Sequence, residues 1–112
     1  MRPSMYTLDS TGTPVPSEDA REWGRWMEGG NRIIQRTELE SGVRVSTVFL
    51  GIDHNFFGGE PLLFETMIFG GPLDEYQWRY STRQEALKGH DEAVWAADLA
   101  GKIDVEAEDV HS

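Results

Sequence analysis

Cysteine is absent from this 112-residue chain, which excludes disulfides, a thiolate nucleophile and cysteine-ligated zinc. Basic charge is scarce: 10 Lys and Arg stand against 20 Asp and Glu, for a formal net charge of -10. Phosphate binding needs clustered Lys and Arg, so direct nucleic-acid binding is not expected. No apolar run reaches the length of a membrane span, and the N-terminus lacks the charged, apolar and small-residue regions of a signal peptide. A soluble, cytoplasmic protein with no membrane partner is expected. There is no HExxH pair, no Gly-x-Ser-x-Gly elbow and no glycine-rich loop leading into a helix, so no motif names a chemistry and no cofactor is expected.

What the chain does have is β-branched and aromatic residues, concentrated between Val43 and Tyr80. Val43 to Ile52 and Leu62 to Phe69 are long apolar runs bounded by turn residues, the signature of strands. The loop between them, His54 to Pro61, is too short for a parallel crossover, so these strands should pair antiparallel. Tyr76 to Tyr80 alternates aromatic and polar residues and predicts a further strand. Ile33 to Leu39, joined to Val43 through Glu40, Ser41 and Gly42, predicts another. The result is a four-strand meander. The tightest turns place Ile34, Arg36, Val48, Leu50, Ile52, Leu63, Glu65, Met67, Phe69, Tyr76, Trp78 and Tyr80 on one face. The other face then carries Ile33, Leu39, Val45, Thr47, Phe49, Leu62, Phe64, Thr66 and Ile68. Both faces are apolar in the middle strands, which requires a cover on each side: helices divided between them, or a second copy of the chain.

Flanking elements are predicted as follows. Met5 to Asp9 makes a short strand, Asp9 to Gly12 a turn, and Thr13 to Pro16 an extended segment. Ser17 offers an N-cap to a helix with Trp23, Trp26 and Met27 on one side, ended by Gly29 and Gly30. Ser81 with Gln84 forms a capping-box pattern for a second helix running to about Leu99. Its inward stripe is Leu87, His90, Val94 and Ala97, with Ala86 and Ala93 beside it. Gly89 in mid-helix implies a close approach to the sheet or to another chain. Residues 1–100 thus form a single α+β domain, an antiparallel sheet of four to five strands with two helices. Residues 101–112, with four carboxylates, read as an acidic flexible tail.

Three groups of residues are candidates for function. His54, Glu65 and His90 could supply two imidazoles and a carboxylate to a metal, although nothing in their spacing brings them together; His90 reads equally as a core histidine and Glu65 as one partner of a cross-sheet pair with Tyr80, Arg36 or Arg79. Tyr76, Trp78 or Tyr80 could stack a base in a pocket between subunits that contains Arg36, Arg44 or Arg79. Phe56 and Phe57 either fold back on the core or form an exposed contact loop.

The run Val45 to His54, then Leu62 to Gly71, then Tyr80, Ser81, Thr82, Glu85, Ala86, Gly89 and His90 resembles a family of small proteins encoded by bacteriophages and prophages. Leu8, Asp9, Gly12, Pro14, Val15, Pro16, Trp23 and Trp26 extend the likeness over most of the chain as far as about Val94. The resemblance implies a phage setting in the host-cell cytoplasm and carries over no catalytic residue. Small acidic phage accessory proteins work more often by binding host or phage components than by turnover. The expectation is therefore a non-catalytic binder of a host or phage protein, forming a homo-oligomer. The alternatives are a nucleotide-signal sponge with an interfacial pocket and a metal-dependent enzyme.

Overall fold

The structure is a computed structural model that describes residues 4–111, with side chains as far as Ile103. The elements are β1 (Tyr6–Leu8), β2 (Pro14–Pro16), α1 (Ala20–Gly29), β3 (Ile33–Glu38), β4 (Arg44–Phe49), β5 (Phe64–Phe69), β6 (Gln77–Tyr80) and α2 (Arg83–His111). The last four strands form the antiparallel meander in the order β3-β4-β5-β6, while β1 and β2 pair apart from it as a hairpin. Prolines at both ends of β2 are tolerated because a two-stranded ribbon consists only of edges.

The middle strands bury what their alternation predicts. Val45, Thr47 and Phe49 of β4 share one face with Phe64, Thr66 and Ile68 of β5, each at most 1% exposed. The near part of α2 lies on this face through small residues: Ala86, Ala93 and Ala97 are buried, and so is His90. Small side chains let a helix axis approach closely, and Gly89 allows the closest contact, with the Tyr80 ring filling the space a Cβ would take.

The remainder of that face is covered by α1 and the β1–β2 hairpin. Trp26 sets its edge on Phe49 at 5.7 Å, and Tyr6 and Leu63 complete the cluster. The Trp23 indole N–H lies 3.1 Å from both the Tyr6 and Gly51 carbonyl oxygens, which accept from it and tie α1 to the end of β4. Both helices therefore sit on one face and do not divide between the two. The reverse face is open: Ile33 is 46% and Phe69 37% exposed there. Its polar members make it tolerable in water, with Arg79 Nε donating to Glu65 at 3.0 Å and the Arg44 guanidinium 4.8 Å over the Phe69 ring.

Two details of register correct the expectation. The cross-strand neighbour of Glu65 is Arg79, not Tyr80, while Trp78 stands opposite Thr66 and Tyr80 opposite Phe64. This one-residue slip moves Trp78 and Tyr80 to the α2 face, and its cause is the turn before β6, where Glu75 adopts a left-handed φ of 71°. A bulge between Ile33 and Gln35 likewise exchanges Ile33 and Ile34, sending Ile34 to the core.

The caps also move. Asp19, not Ser17, caps α1, accepting from the Arg21 and Glu22 amides. Thr82 and Glu85, not Ser81 and Gln84, form the reciprocal box of α2: the Thr82 amide donates to Glu85 Oε1 at 3.1 Å and the Glu85 amide to Thr82 Oγ1 at 3.1 Å. The helix continues past Leu99 to His111, helped at its exposed start beyond the sheet by a Lys102 to Asp98 ion pair at 2.9 Å.

Candidate functional site

The loop between β4 and β5 is organised by its own polar side chains. Asp53 Oδ1 accepts from the Asn55 amide at 2.8 Å and from the Leu62 amide at 2.9 Å, closing the neck of the loop. The His54 amide donates to the Leu62 carbonyl at 3.0 Å beside it. Inside the neck, Asn55 Nδ2 donates to the Glu60 carbonyl at 2.8 Å while Asn55 Oδ1 accepts from the Phe57 amide at 3.2 Å. Gly58 and Gly59 take left-handed φ values of 88° and 93° to turn the tip. The base is anchored in turn, with the Asp53 amide donating to the Ser4 carbonyl at 2.9 Å and Met5 bridging to Ile52.

On this frame Phe56 is 80% and Phe57 99% exposed. Of the two arrangements the sequence allows, the structure shows the outward one. His54 stands with its ring 6.2 Å from Phe56, its Nδ1–H donating to the Ile52 carbonyl at 2.8 Å. The loop thus holds an apolar tip in water on a hydrogen-bonded support.

His90 lies elsewhere, at the centre of a buried polar chain beneath α2. Thr37 Oγ1 is 2.8 Å from its Nε2, Thr47 Oγ1 is 2.7 Å from its Nδ1, and Thr47 is 2.5 Å from Thr66 Oγ1. A neutral imidazole has one donor and one acceptor, and the threonine hydroxyls rotate to match either tautomer. Burial pushes the His90 imidazole below its usual pKa, with the nearby Asp91 carboxylate acting in the opposite sense. Burial also raises the Tyr80 phenol, joined by the charge of Glu92 and opposed by a hydrogen bond with Thr66. Among the described residues no buried side-chain nitrogen or oxygen lacks a partner.

The other candidates are dispersed. Glu65 pairs with Arg79 on the open face, His90 is sealed under α2 and His54 is in the loop; among the described residues no group of three His, Cys, Asp or Glu could hold a metal ion. Tyr76 and Trp78 touch edge to face at 6.2 Å, while Arg79 points from the opposite side of β6 to Trp78 and Arg36 sits three strands away, beyond β5 and β4. One chain therefore does not assemble an aromatic and arginine pocket from them. Sequence reasoning missed the roles of Asp53 and Asn55, for which the available signal was two Asx residues flanking a histidine at the start of a glycine loop.

No family model matches the chain, and neither a curated protein nor a solved structure is similar to it.

Proposed function

We propose that this is a small phage-encoded accessory protein that binds a host or phage protein without catalysis and thereby modulates or inhibits it. The observation that carries this reading is the Phe56–Phe57 tip, exposed on a loop whose internal hydrogen bonds hold it out. Burying a phenylalanine side chain is worth about 1.5–3 kcal/mol, so the pair can serve as a hot spot. Association costs about 4 kcal/mol or more in lost freedom, so neighbouring surface must contribute as well. A preformed loop reduces the ordering part of that cost.

The test is affinity capture from bacterial lysate with the native chain and with a Phe56→Ser/Phe57→Ser double variant of equal melting temperature. A protein retained by the first and lost from the second supports the reading; identical retained sets contradict it. The proposal includes a homo-oligomer, supported by the uncovered sheet face with Ile33, Met67 and Phe69, where a second copy would pack.

A further inference from the structure

At the end of the sheet opposite the phenylalanine loop, α2 passes the β3–β4 turn and leaves a groove of about 990 Å³. The two ends are distinguished by register: Glu38, Arg44 and Phe69 align at the groove end, and Phe49, Phe64 and Tyr80 at the loop end. Leu39 and Val94, both half-buried, form part of the groove lining. Trp95 stands on its side and is 68% exposed. A tryptophan presented to solvent on a helix whose buried line is Ala86, His90, Ala93 and Ala97 contributes little to the core. It is an apolar feature in search of a partner.

The chemistry around the indole is one-sided. Glu38, Glu40, Asp91 and Asp98 line the groove, and the one cation among its described residues, Lys102, is held by Asp98 at 2.9 Å. A carboxylate-rimmed trough on a chain of net charge -10 concentrates cations. An indole face beside carboxylates is suited to a guanidinium, which can stack on the ring while donating paired hydrogen bonds to an acid. The apolar lining between them takes an aliphatic side chain.

We propose that this groove binds a basic segment of another protein, one that presents arginine beside an aliphatic residue. The charge complementarity selects this occupant over an acidic peptide or a nucleic acid. The surface is separate from the phenylalanine loop, so the two can fail independently.

The experiment measures fluorescence anisotropy of a labelled dodecapeptide carrying arginine at every third position among leucine and alanine, titrated with the full chain. A matched peptide with glutamate in place of arginine is the comparison. The expected result is binding of the arginine peptide alone, weakened about five- to tenfold by Trp95→Ala and by Asp91→Asn/Asp98→Asn. Glu18→Gln/Glu22→Gln at the start of α1, which makes the same change of charge, leaves it within about twofold. Equal weakening by the α1 variant would reduce the effect to net charge and overturn the proposal. So would absence of peptide binding, full displacement by spermidine at equal charge, or light scattering showing that Trp95→Ala dissociates a dimer, since the occupant would then be a second copy.

Discussion

The Tyr80 hydroxyl occupies the place where a Cβ of residue 89 would be, so the helix approaches the sheet as closely as glycine allows. On an open helix, Gly→Ala gains about 1 kcal/mol. Here Gly89→Ala must displace a ring wedged between β6 and α2, and a net loss of about 1–2 kcal/mol is expected from urea unfolding. In a Tyr80→Ala background the same substitution should be neutral or stabilising. An alanine that stabilises the native chain would show that the contact yields freely.

Linkage gives a second prediction. The His90 pKa is lowered in the fold, so the unfolded chain binds its proton more readily. Its contribution to stability is full above the ordinary histidine value of about 6.5 and is lost as pH falls from there through the folded value. A two-dimensional NMR titration should find the His90 imidazole still mostly neutral at about pH 6.5, where an unperturbed histidine is half protonated. A His90 that protonates at or above the ordinary value would contradict the buried chain of Thr37, Thr47 and Thr66.

Asp53→Ala removes the acceptor of two backbone amides at the loop neck. The expected loss is about 1–2 kcal/mol, with faster hydrogen exchange at the Asn55 and Leu62 amides and unchanged protection in β4 and β5. Unchanged exchange at both amides would mean that the loop is held by its glycines and base alone.

The open face makes a prediction about assembly. If a second copy covers it, light scattering finds a multimer for the native chain and a monomer for Met67→Glu, because the new charge would be buried against its copy. A native chain that is monomeric across the accessible concentration range would remove the homo-oligomer.

How much of this was legible in the sequence follows from which forces act locally. The β4 and β5 pairing was readable because alternation and turn residues agree: Val45, Thr47 and Phe49 need a buried face, and Phe64, Thr66 and Ile68 need the same one. The β6 register was not, because it hangs on a non-glycine residue, Glu75, taking a left-handed φ, with the Gly70 amide donating to Asp74 Oδ1 at 2.6 Å inside the same turn. Each helix start offered two capping residues within two positions, and the choice fell to the one whose side chain met the free amides: Asp19 over Ser17, and Thr82 over Ser81. The direction of Phe56 and Phe57 depends on Asp53 bonding to Leu62, nine residues on, a closure that periodicity does not report. The acidic groove joins β3 and α2 residues more than fifty positions apart and had no local signal.

The most direct test of the binding account is photocrosslinking from the loop itself. With benzoylphenylalanine in place of Phe57, irradiation of infected or expressing bacterial cells should join the chain to one defined protein of the cell, and crosslinker placed at exposed Glu28 on α1 should not. Crosslinks that are absent from position 57, or indistinguishable from those at position 28, would contradict the account.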